Sequence, residues 1–137
     1  MKTLASCTPT EFVAQTVRIK ESAEKWLELT DIIAIRKKAP ENLPTVTDDM
    51  TTEEAEETRK KRAEALRKRA LKNASEIFDV CFKDHPTETL EILALCCFIE
   101  PEDIDKHRTA DLLEAALELA EDPVVVRFFT LLVRLGA

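Results

Sequence analysis

Apolar residues along this chain recur every three or four positions and rarely alternate, which predicts helices from one end to the other. Thr8-Pro9-Thr10-Glu11 carries the signature of a helix start, with Thr8 as cap, Pro9 in the first turn and Glu11 where a capping box needs its carboxylate. Phe12, Val13, Val17, Ile19, Ala23, Trp26 and Leu27 follow as an apolar stripe between charged residues. Thr30-Asp31 offers a second cap and predicts a break near residue 30. A short helix then ends in Arg36-Lys37-Lys38, cations suited to a helix C-terminus. The segment 39–50 holds Pro40, Pro44, Asp48 and Asp49 with little apolar pattern and reads as an exposed loop between the N-terminal helices and the main bundle.

Thr51-Thr52-Glu53-Glu54 repeats the capping signature ahead of one long helix reaching to about Asp84, with Ala63, Leu66, Ala70, Ala74, Ile77 and Cys81 as its predicted inner stripe. His85-Pro86 ends it, because the residue before proline is steered away from the helical region. Ile92 to Ile99 is apolar on every face and is the predicted core helix. Pro101-Glu102-Asp103 marks a turn, Thr109 a cap for Ala110–Glu121, and Asp122-Pro123 the start of a last helix from Val124 to Leu135. The reading is an all-α, single-domain bundle of about five to seven helices spanning 1–137.

Composition sharpens this picture. The 137 residues include one Gly, no Tyr, one Trp and six Phe, with 45% hydrophobic and 34% charged positions. Tight-turned β folds and phosphate-cradling loops need more glycine than that. Formal charge is −7. Residues 1–72 are nearly balanced, whereas 73–137 carry 5 basic and 14 acidic side chains. Such a balance disfavours nucleic-acid coating. Cys7, Cys81, Cys96 and Cys97 form no paired Cys-x-x-Cys element and read as reduced core thiols of a cytosolic protein. The N-terminal residues lack a signal-type apolar stretch, and no uncharged run approaches membrane-spanning length.

Candidate chemistry is sparse. Arg59, Lys60, Arg62, Arg67, Lys68 and Arg69 form a basic stretch that on a helix could follow a phosphate backbone. Glu53, Glu54, Glu56, Glu57 and Glu64 on the same helix are spaced to pair with it, so a solvated, internally paired face is the preferred reading and a DNA-binding regulator the alternative. Cys81 and His85 share a helix face but lack further zinc ligands at standard spacing. Asp79, Asp84, Glu88 and Glu91 sit where solvent-facing carboxylates belong, and His107 has no nucleophile beside it. Neither an enzyme nor a metal or cofactor site is expected, and Trp26 reads as core. The last helix differs: Val124, Val125, Phe128, Phe129, Leu131, Leu132 and Leu135 surround a narrow polar stripe of Arg127, Thr130 and Arg134, more apolar surface than one inward face requires. These seven residues are the candidate partner-binding set.

Thr8-Pro9-Thr10-Glu11-Phe12, Lys25-Trp26-Leu27, Thr30-Asp31-Ile32, Ile35-Arg36-Lys37, His85 to Leu90, Phe98 to Asp103 and the ending Phe128 to Leu131 with Arg134-Leu135-Gly136 together resemble small tail assembly chaperones of long-tailed phages and prophages of Gram-positive bacteria. That resemblance implies a non-enzymatic protein of the host cytoplasm, absent from the mature virion. It would bind apolar helical segments of the tape measure protein and help recruit tail tube subunits. Separately, the apolar strip of the last helix leaves room for a homo-oligomer formed through the same patch.

Overall fold

The computed structural model describes all residues from Met1 to Ala137. The fold is all-α, with no strand. Six α-helices follow in order: α1 (Pro9–Thr30), α2 (Ile32–Lys37), α3 (Thr52–Phe78), α4 (Pro86–Cys96), α5 (Thr109–Glu121) and α6 (Pro123–Gly136). A π-helical turn, Asp79–Asp84, continues α3, and a 3₁₀ turn, Pro101–Lys106, lies between α4 and α5. Contacts divide the chain into two compact units, Met1–Trp26 with Pro86–Ala137, and Leu27–His85.

In the first unit, α1 starts with a complete capping box. The Thr8 backbone N–H donates to Glu11 Oε1 at 3.1 Å, and the Glu11 N–H donates to Thr8 Oγ1 at 3.2 Å. Before it, Thr3 and Leu4 are buried, held in a tight turn by the Ser6 N–H bonding to the Thr3 carbonyl at 3.1 Å. The inward line of α1 is Phe12, Gln15, Ile19, Ser22 and Trp26. Val13, Val17 and Leu27, expected in that stripe, are exposed. Polar bonds to α4 set the rotation of the helix: Gln15 Nε2 donates to the Leu95 carbonyl at 2.6 Å, Ser22 Oγ to Glu91 at 3.0 Å, and Trp26 Nε1 to Thr89 Oγ1 at 2.9 Å. Trp26, expected as core, is instead half-buried at the edge of the packing, where its indole N–H can reach Thr89.

The apolar run Ile92–Ile99 has no exposed member, and Ala94, Cys97 and Ile99 join Leu112 and Ala115 as the core, with Leu93 and Ile104 against it. Burying such side chains contributes about 1.5–3 kcal/mol each for the larger ones. The helix stops at Cys96 rather than running through Ile99. The Ile99 N–H reaches the Ala94 carbonyl at 2.9 Å and the Phe98 N–H the Leu95 carbonyl at 3.3 Å, a Schellman closure with Phe98 left-handed at φ 56°. Ile99 thereby folds back onto Ala94 in the core. Thr109, expected as the α5 cap, is its first helical residue instead, and Arg108 takes the cap position while pairing with Asp111 at 3.1 Å.

In the second unit, α1 ends and α2 begins at Asp31, left-handed at φ 51°. The break near residue 30 is as expected, but from that backbone conformation the Asp31 side chain makes no capping bond. Segment 39–50 is irregular and mostly exposed. Thr51 caps α3 by accepting the Glu54 N–H at 3.1 Å. The expected α3 stripe is displaced: Ala63, Leu66, Ala70 and Ala74 are exposed, and the inward line is Ala55, Ala65, Arg69, Asn73, Ile77 and Cys81. The reason is electrostatic, since small alanines bury little. Buried Asn73 donates from Nδ2 to the Lys38 carbonyl at 3.0 Å and accepts from Arg69 Nε at 2.9 Å, while Lys38 pairs with Glu76 at 3.0 Å. Those bonds select the face that meets α2.

Candidate partner-binding surface

Helix α6 follows α5 after the single residue Asp122, whose carboxylate accepts the N–H groups of Val124 at 3.0 Å and Val125 at 2.9 Å. With Pro123 in the first turn, this is the cap that Asp122-Pro123 foretold. No residue of α6 is buried. Val124 is 72% exposed, Leu131 53%, Leu132 47% and Leu135 75%, while Phe128 and Phe129 are nearer 40% and Val125 is half-buried.

The helix packs against α5 and touches α1 through one aromatic contact. Phe128 meets Phe12 of α1 edge-on, ring centres 5.3 Å apart at 77°, and lies edge-on to its own neighbour Phe129 at 5.3 Å and 75°. An apolar groove lies on each side of this attachment. One, of about 450 Å³, is lined by Leu4, Ile19, Cys96, Leu119, Val126, Phe129 and Val133. The other, of about 410 Å³, is lined by Leu4, Cys7, Pro9, Phe12, Val124, Val125 and Phe128. Of the seven candidate residues, four line these grooves, and Leu131, Leu132 and Leu135 stand in solvent.

Sequence reasoning missed the rest of the surface. Val126 and Val133 belong to the first groove, and exposed Val13 and Val17 on α1 and Leu113 and Leu117 on α5 extend the apolar area of this unit. The period of α6 contained the first pair. Val13 and Val17 were placed in the inward stripe of α1 because apolar residues flanking a core stripe look the same as those within it, and Leu113 and Leu117 carry no pattern that marks them as outward. Burial of Cys96, with its neighbour Cys97, pushes its thiol up to about 11, so a neutral sulfur sits in the groove wall.

The basic stretch is dispersed. Lys60 and Arg67 share one side of α3, Arg62 and Arg69 another, with Arg59 and Lys68 elsewhere on the circumference. Lys68 pairs with Glu64 at 3.2 Å, Arg62 donates to the Pro44 carbonyl at 3.3 Å, and Arg69 is held by Asn73 and Glu76. The six side chains form no single face. No three His, Cys, Asp or Glu side chains converge as a metal site requires. No helix is long and apolar enough to cross a membrane. No protein-family model, no curated protein and no solved structure matches the chain.

Proposed function

We propose that this protein is a non-enzymatic escort for apolar helices, a tail assembly chaperone that shields helical segments of a tape measure protein while a phage tail is built. The observation that carries the reading is α6: a capped, fourteen-residue helix with apolar residues around most of its circumference and none of them buried. Solvated apolar surface of this extent marks a surface for association. The grooves beside Phe128 and Phe129 match the helix-in-groove mode, in which a client supplies apolar anchors at three- and four-residue spacing. The resemblance named above supplies the identity of the client, tail tube subunits as further partners, and the host cytoplasm as the setting, with release before the tail is complete.

The test is a solubility assay. A tape measure fragment that precipitates alone is expected to stay in the supernatant when mixed with this protein, and Val126→Asp or Val133→Asp, both exposed positions in the groove beside Phe129, should abolish the protection with helicity unchanged. Precipitation regardless of added protein, or full protection by both variants, overturns the proposal.

A further inference from the structure

Helix α6 is cationic in an acidic setting. Residues 73–137 carry 5 basic and 14 acidic side chains, yet Pro123–Gly136 holds Arg127 and Arg134 and no carboxylate. Both arginines are exposed, and neither side chain makes a salt bridge or hydrogen bond within the chain. Lys106 and Arg108, by contrast, each pair with an aspartate three residues away.

Their place is the rim of the groove beside Phe129. Val126, Thr130 and Val133 line that groove, and its lining contains no charged side chain. Arg127 and Arg134 form the next row of α6, each following a lining valine in sequence and each one turn from Thr130. Across the groove on α1, the cations beside Ile19 are already bound, Arg18 to Glu100 at 2.9 Å and Lys20 to Glu24 at 3.2 Å. The α6 edge therefore presents two unpaired guanidinium groups seven residues apart, two helical turns, or about 10.5 Å along the axis.

A helix seated in this groove runs beside α6, so its own polar edge passes both arginines. Carboxylates seven residues apart on that edge meet the two together in either chain direction, because the separation along a helix axis is the same read up or down. Lysines at those positions set like charges at the rim instead. Building on the escort reading, we infer that the groove selects its client by charge as well as by shape: the client helix carries Asp or Glu at i and i+7 beside its apolar anchors, and Arg127 and Arg134 read them. The same pair also excludes. Apolar helices edged with Lys or Arg, which a net charge of −7 draws in from a distance, are repelled at contact.

Two synthetic helical peptides test it, alike in their leucine face, one with Glu and the other with Lys at two edge positions seven residues apart. Their binding to the full chain is read by fluorescence anisotropy at low and high salt. The wild type is expected to hold the Glu peptide about tenfold more tightly than the Lys peptide at low salt, with the gap closing as salt rises. That order is opposite to the one overall charge dictates. Arg127→Glu with Arg134→Glu should invert it, and the milder Arg127→Gln with Arg134→Gln should abolish the Glu preference. Unchanged helicity by circular dichroism shows that these exposed replacements left the fold intact. No binding of either peptide overturns the escort reading and this inference with it. Equal binding of the two peptides, a wild-type preference for the Lys peptide, or a Glu preference that survives both pairs of substitutions overturns this inference and leaves the escort reading standing.

Discussion

Gln15 and Leu95 lie 80 positions apart, and the side-chain amide of the first donates to the main-chain carbonyl of the second at 2.6 Å in a buried setting. Leu95 is in the last turn of α4, where carbonyls have no helical partner. Asn73 does the same for the Lys38 carbonyl at the end of α2. In both units a buried amide from a neighbouring helix satisfies a helix C-terminus. Gln15→Leu removes one of the two donors to that carbonyl, the Phe98 N–H being the other, so it is expected to destabilise by about 0.5–1.5 kcal/mol in urea denaturation. A neutral or stabilising effect would mean that the Phe98 N–H alone satisfies that carbonyl.

These two amides also mark how far the sequence could be read. Caps with local partners were legible: Thr8 with Glu11, Thr51 with Glu54, and Asp122 ahead of Pro123 each became the bond that their spacing implied. The all-apolar run 92–99 could only be core. The rotations of α1 and α3 were not legible, because long-range polar bonds of Gln15 and Asn73 outrank the modest burial of Val13, Ala63 or Ala70. The surplus apolar surface of α6 was visible in its narrow polar stripe, while Leu113 and Leu117 looked like ordinary neighbours of Leu112 and Ala116 until the structure turned them outward.

Glu11 gives a pH dependence with a defined sign. Bonds from Lys2 first, and then from Thr8, hold its carboxyl at about 2 against an ordinary 4.5. A depressed pKa means that its stabilising effect is complete above about pH 4.5 and is lost as pH falls toward 2. Glu11→Gln retains an acceptor for the Thr8 N–H but does not titrate. The N-terminal amides of α1 in the wild type should therefore lose hydrogen-exchange protection over that interval, while those of the variant change little. Parallel acid profiles would rule the capping carboxylate out as the cause.

The Phe12–Phe128 contact predicts local rather than global loss. Edge-on aromatic pairs contribute about 0.5–1.5 kcal/mol beyond their burial, and α6 has no buried residue to share the task. Phe128→Ala is expected to raise exchange across α6 while α4 and α5 keep their protection through Ala94, Leu112 and Ala115. Uniform loss across all helices would show that α6 is integral to the core rather than laid on it.

Cys96 offers a reporter of the same attachment. Its thiol is raised to about 11 by burial first and by Cys97 second, so at pH 8 it holds its proton and alkylates slowly, because only the thiolate attacks. The folded state resists ionisation, and stability from this group is full below the ordinary value of 9.0 and lost as pH rises toward 11. Since Cys96 lines the groove with Phe129 and Val133, lifting α6 hydrates it. Phe128→Ala should therefore speed alkylation at Cys96, read by peptide mass mapping, and leave buried Cys81 of the other unit unchanged. A client helix seated in that groove should slow Cys96 further in the wild type. If Cys96 reacted as fast as in urea-unfolded chain, α6 would not be closing over it, and the groove would not be the water-excluding surface that an escort of apolar helices requires.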